Sequence, residues 1–182
     1  MPHQFTTSYL DESRAIFQQY KKLAEGAMRQ VTDDQLLTTL DPESNSIAII
    51  VKHLAGNMKS RWTDFLTSDG EKPTRNRDGE FVEAPASREA LMALWDDGWQ
   101  CVFTALAPLT DADLGKTVMI RGEPHSVMQA INRQVAHYSS HIGQIIFLAK
   151  HLQSANWQSL SIPRNQSATF NQQVTKGEAS QR

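Results

Sequence analysis

Four stretches of the chain place apolar residues at steps of three and four, and this spacing restricts it to a mainly helical fold. Phe5, Tyr9, Ile16, Tyr20, Leu23 and Ala27 share one face of a helical period, which predicts a first helix over about residues 4–30, ending near Thr32-Asp33-Asp34. Ile47, Ile50, Leu54, Met58, Trp62 and Phe65 form a second stripe, preceded by a turn at Asp41-Pro42 and a serine suited to cap a helix. A third runs through Leu91, Trp95, Gly98, Val102 and Leu106; it opens at Ser87, carries Glu89 in its first turn and closes at Pro108. The fourth starts at Ser126, whose spacing to Gln129 is that of a capping box, and continues through Ile131, Val135, Ile142, Ile145 and Leu152 to give a long helix over about 126–152.

The connections are uneven. Residues 68–86 carry two prolines, turn dipeptides and many charges, and so read as a long connection, functional or packed over the body. Lys116 to Ile120 followed by Arg121-Gly122-Glu123 reads as a short strand and a turn. Beyond Trp157 the chain is rich in Ser, Gln and Asn, which predicts an irregular arm with a disordered end. The expected architecture is a single all-α domain over 1–170, a four-helix bundle with a small β-hairpin insertion, followed by a disordered tail over 171–182. In such bundles, sites are built from polar side chains that face inward.

Composition removes several classes of function. With 18 Lys and Arg against 20 Asp and Glu, the net charge of −2 lacks the basic surplus that binding to a phosphate backbone needs, so no nucleic-acid partner is expected. No apolar run reaches the roughly 18–20 residues that cross a bilayer. The first residues also lack a signal-peptide pattern, so a cytoplasmic protein without membrane contact is expected. Cys101, the single cysteine, excludes an internal disulfide and a cysteine-cluster metal site.

Chemistry must then rest on other side chains, and the six histidines are unevenly placed. His137 and His141 stand four apart on the fourth helix, which stacks two imidazoles on one face at chelating spacing. His53 lies amid Val51, Leu54 and Met58 on the second helix, where its ring nitrogens need partners. Three readings follow: a three-histidine metal site with an open position for water or a small-molecule substrate, histidines hydrogen-bonded within the core, or histidines facing solvent. Gln134 and Gln144 lie about one turn either side of the pair and Asn57 one turn beyond His53, so each is placed to orient a ligand or simply to add bundle polarity. His3 and His151 fall near segment ends and are expected to be solvated, and His125 marks the junction of hairpin and helix.

Other metal and catalytic patterns fail on particular residues. No carboxylate stands three before a histidine, as di-iron bundles require, and Tyr138 takes the place of the glutamate in a His-Glu-x-x-His protease motif. Gly115-Lys116-Thr117 lacks the first glycine of a phosphate loop, and neither a dinucleotide fingerprint nor a nucleophile elbow is present.

The segments Asn45-Ser46-Ile47, Lys52-His53-Leu54-Ala55-Gly56-Asn57-Met58 and Ser60-Arg61-Trp62-Thr63-Asp64-Phe65-Leu66 resemble a bacterial branch of the DinB-like superfamily, a branch described as a domain of unknown function. Asp69-Gly70-Glu71-Lys72-Pro73, His137-Tyr138-Ser139-Ser140-His141-Ile142-Gly143-Gln144 and Ser161-Ile162-Pro163-Arg164 extend the resemblance over about residues 5–170. The resemblance implies a four-helix bundle with a crossover connection and a nickel- or zinc-type ion held by His53, His137 and His141. It also implies kinship with transferases and isomerases that use low-molecular-weight thiols, and a homodimer. The expected function is therefore a divalent-metal protein acting as a thiol-dependent S-transferase or isomerase, with a non-catalytic, metal-stabilised binding module as the alternative. Arg164 would serve the acidic group of such a thiol if the C-terminal arm folds back, or else a surface or dimer contact.

Overall fold

The computed structural model describes residues 8–180, so Phe5, His3 and the expected start of the first helix lie outside the described residues. Helix α1, Tyr9–Met28, begins where the Ser8 side chain accepts from the Asp11 amide. At the expected break the chain forms a short helix, α2, Asp33–Leu37, because Thr32 and Gln35 exchange side-chain and backbone hydrogen bonds as a capping box. Helix α3, Ile47–Trp62, is capped by Ser46 and stops three residues short of Phe65. Thr63 turns extended and Asp64 takes a positive φ of 50°, yet Phe65 still packs its ring 4.8 Å from that of Trp62.

Helix α4, Arg88–Leu106, opens at Ser87 and buries all five residues of its expected stripe. Strands β1, Thr117–Ile120, and β2, Glu123–Ser126, pair antiparallel across Arg121 and Gly122, both at positive φ as a tight hairpin turn requires. Helix α5, Val127–Gln153, grows directly from the hairpin through the Ser126 and Gln129 capping box. Beyond Trp157, where an irregular arm and then a disordered tail are expected, Ser167–Lys176 forms helix α6, closed by Gly177 in the left-handed conformation. No residue of α6 is buried. Its Gln, Ala and Lys residues favour helix, and a left-handed glycine cap satisfies its last carbonyls without any core. Residues 181–182 lie outside the described residues.

The molecule is mostly helical with one two-stranded sheet among the described residues. The main contacts run from α3 to α4 and α5, and from α1 to α5 and α4. At their centre the Phe17 ring lies 5.9 Å from Trp62, 6.1 Å from Trp99 and 5.6 Å from Tyr138. The Tyr138 hydroxyl accepts from Trp62 Nε1 at 2.9 Å and donates to Asn57 Oδ1 at 3.2 Å, so this buried polar group is satisfied within the core. Trp95 and Trp99 are also fully buried, as expected for packing residues. Among the described residues no helix is long and apolar enough to cross a membrane.

Candidate metal centre

The connection over 68–86 is held down at both ends, and this placement builds the site. Asp69 accepts from the backbone amides of Arg121 and Gly122 at 2.8 and 2.7 Å, and the Gly70 amide donates to Met119 O at 2.8 Å, which ties its start to the hairpin. Lys52 of α3 donates to the carbonyls of Gly79 and Glu83, each at 2.7 Å, and fixes a 3-10 turn over Asp78–Phe81 against the helix. Glu80 and Phe81 therefore arrive beside His53. The Phe81 ring lies 4.7 Å from that of His53, tilted by 32°.

His53, His137 and His141 converge from α3 and α5. Their ring centroids are 5.4 Å apart for His53 and His137, 4.9 Å for His53 and His141, and 4.7 Å for His137 and His141. One ring nitrogen of each lies within 4.8 Å of the others, close enough to hold a metal ion. The antiparallel match of the helices is responsible: one turn of α5 separates the paired imidazoles, and the third enters between them from α3.

The outer ring nitrogens already have partners. His53 Nδ1 is 2.8 Å from Glu80 Oε2; an ionised carboxylate only accepts, so Nδ1 carries a proton and Nε2 is the ring nitrogen left for the cluster. His141 Nδ1 stands 2.9 Å from Gln144 Oε1, which selects the same tautomer. His137 Nε2 is one of the few buried side-chain polar atoms with no hydrogen-bond partner among the described residues. Three imidazoles, two of them fixed by outer hydrogen bonds and one with an orphaned nitrogen, are a donor set that fits a divalent transition metal.

Burial holds His137 well down, to about 3, with the charges of His141, His53, Arg133 and Arg61 adding to the effect. Burial also lowers His141, in part countered by Gln144. Both rings are thus neutral near pH 7, the form in which imidazole binds metal. For Glu80 burial works upward, but the hydrogen bonds from His53 and Arg75 outweigh it and hold the carboxyl below its ordinary range.

Sequence reasoning missed Glu80, which is 6% exposed. Arg75 grips it from Nε at 2.8 Å and from Nη2 at 2.9 Å, while Glu71 bridges Arg75 at 3.2 Å and Arg61 at 2.8 Å. A chain of alternating charge, buried at Arg61, Arg75 and Glu80 and partly exposed at Glu71, therefore runs to His53, and each charge in it is paired. The available signal was weak: a carboxylate in a charged, turn-rich segment resembles any solvated loop residue. Of the three residues flagged as orienting groups, Gln144 contacts a cluster histidine, whereas Asn57 serves Tyr138 and Gln134 faces the hairpin side near Arg61 and Ile120. His125 Nδ1 pairs with the Glu123 carbonyl at 3.0 Å, and His151 is exposed near the end of α5. Arg164 is exposed on an arm whose Leu160 meets Gly26 of α1 and whose Gln158 amide donates to Gln30, just beyond that helix.

Gly56, one turn from His53, gives Glu80 its room. A Cβ there would stand 2.7 Å from Glu80 Cδ. Gly56→Ala should therefore destabilise the protein by about 1–3 kcal/mol through overpacking, even though alanine is the better helix former. Urea denaturation checks this, and a midpoint equal to or above wild type would contradict the close seating of Glu80 on α3.

The family model for a protein of unknown function, DUF1572, matches residues 4–166. The chain belongs to the DUF1572 family. Comparison with curated proteins gives no match. The part of this DUF1572 protein that matches the family model holds the three histidines, Glu80 and the hairpin, and leaves α6 outside.

Proposed function

We propose that this DUF1572 protein is a divalent-metal-binding protein in which His53, His137 and His141 hold one ion of the nickel or zinc type. The observation that carries the reading is the orphaned, buried His137 Nε2 set among two imidazoles whose outer nitrogens are already engaged. The ring of contacts among α1, α5, α3 and α4 supports a four-helix bundle of the DinB-like kind, in keeping with the sequence resemblance. When bound, such an ion acts as a Lewis acid and favours the deprotonated form of an incoming water or thiol.

The chain's own residues prepare that chemistry. Glu80 keeps the proton on His53 Nδ1 and, gripped by Arg75, fixes the ring's direction. Gln144 does the same for His141. Phe81 covers the His53 ring and limits the approach of water from that side. Three neutral ligands leave the ion's charge uncompensated, which favours an anionic donor in the open position. That preference, with the DinB-like resemblance, makes thiol-dependent transfer or isomerisation of a small electrophile the reaction class we assign, in a cytoplasmic homodimer.

Elemental analysis tests the reading. Wild-type protein purified without chelators should carry about one equivalent of a first-row divalent metal per chain, and His53→Ala and His137→Ala should each lose it. A wild type that remains empty after incubation with nickel and with zinc would overturn the proposal. The loaded protein is then assayed with low-molecular-weight thiols against electrophiles, and absence of metal-dependent turnover would leave a binding module.

A further inference from the structure

Arg61 and Gln134 are 6% and 3% exposed, and each leaves one buried polar atom, Nε of the arginine and Oε1 of the glutamine, with no hydrogen-bond partner among the described residues. Such atoms are rare in protein interiors, because each forfeits its contact with water and gains nothing in return. Both residues line one cavity, whose other walls include Gly70, at the start of the covering connection, and Met119 and Ile120 of β1. The protein acceptors beside Arg61 are already engaged. Its Nη1 donates to the Gly70 carbonyl, which also accepts from Ser60 Oγ at 2.8 Å, so both lone pairs of that oxygen are in use. Nη1 also reaches Glu71 Oε2 at 2.8 Å, an oxygen shared with Arg75 at 3.2 Å, and the Met119 carbonyl accepts from the Gly70 amide at 2.8 Å. None of these contacts involves Nε.

The cavity has a volume of about 10 Å³, roughly what a single water molecule needs and too little for a larger guest. Its chemistry selects the same occupant. A donor on one wall and an acceptor on the other call for a guest that accepts from the first and donates to the second. The Arg61 guanidinium repels a cation and the lone pairs of Gln134 Oε1 repel an anion, whereas water meets both demands. We infer that this cavity binds one ordered water, which accepts from Arg61 Nε and donates to Gln134 Oε1. The bridge joins the supports of the histidine cluster. Arg61 stands at one end of the charge chain that reaches His53 through Glu71, Arg75 and Glu80, and Gln134 lies on α5 three residues before His137. The water thus ties α5 to α3 between two side chains that form no direct hydrogen bond with each other. It belongs to the metal-free chain and stands apart from the metal-binding reading.

The test is a crystal structure of the full, metal-free chain at a resolution that orders single waters. It should show one density peak within about 3.2 Å of both Arg61 Nε and Gln134 Oε1. Gln134→Met keeps the length of the side chain and removes the acceptor, so its structure should lack the peak. Its folded-to-unfolded ratio, measured by urea denaturation, should fall about tenfold to a hundredfold, because Arg61 Nε is then buried without a partner. No peak in the wild type, or Arg61 Nε bonded directly to Gln134 or to another protein acceptor, would overturn the inference. A peak that persists in Gln134→Met, or a variant as stable as wild type, would overturn the bridge between the two residues. If the variant does not fold, the wild-type density decides alone.

Discussion

Glu80→Ala is expected to lower the stability of the metal-free protein by about 3–5 kcal/mol, the cost of breaking a buried pair and leaving its partner unmatched. Two groups lose an acceptor at once: the His53 Nδ1 proton, and the Arg75 guanidinium, which holds both carboxylate oxygens and keeps only its longer contact to Glu71. The Arg75 side chain is only 5% exposed, so water cannot replace the lost acceptor cheaply. For a domain of this size, roughly 2–4 °C per kcal/mol, the melting temperature should fall by about 6–20 °C. Glu80→Gln separates charge from shape: it keeps an acceptor for His53 but removes the charge that Arg75 faces. That variant should fold and bind nickel or zinc about 10–100-fold more weakly than wild type, the usual effect of altering a group that orients a metal-binding histidine. Calorimetric unfolding of the apo forms together with metal titration decides the matter. Glu80→Ala as stable as wild type would show that the carboxylate is not seated where the charge chain requires.

The second large effect lies in the core and should leave the metal position alone. Trp99 is fully buried, with rings of Trp95, Phe103 and Tyr138 at 5.5, 5.6 and 5.7 Å and Phe17 at 6.1 Å. Trp99→Ala removes the largest side chain type from the point where α1, α4 and α5 meet, and the cavity left behind should cost about 3–5 kcal/mol. Denaturant midpoints measure the loss, and metal stoichiometry determined below the unfolding transition should stay at wild-type value. A loss under about 1 kcal/mol would mean that the surrounding helices collapse into the space and that this aromatic cluster does not set the packing. The contrast with Glu80→Ala is diagnostic, since one substitution changes stability alone and the other changes stability and metal affinity together.

Much of the fold was legible because helices announce themselves locally. Ser46, Ser87 and Ser126 cap helices as their spacing predicts, and the stripe Leu91, Trp95, Gly98, Val102 and Leu106 is buried throughout. Two local signals were misread. The break at Thr32 contains its own short helix because Gln35 completes a capping box, and the polar arm forms α6 although it buries nothing. Hydrophobic periodicity detects a helix that packs on a core and is blind to one held by its own caps and propensity.

The site divides along the same line. The spacing of His137 and His141 puts two imidazoles on one face by helical geometry alone, so it is a property of the sequence. That His53 enters between them, and that Glu80 rather than Asn57 or Gln134 holds its far nitrogen, is decided only when α3 lies against α5 and the connection over 68–86 folds back onto α3. Periodicity relates residues a few positions apart, whereas a hydrogen bond between residues 27 apart depends on where the whole chain returns, and that path is set by Lys52, Asp69 and the space left at Gly56.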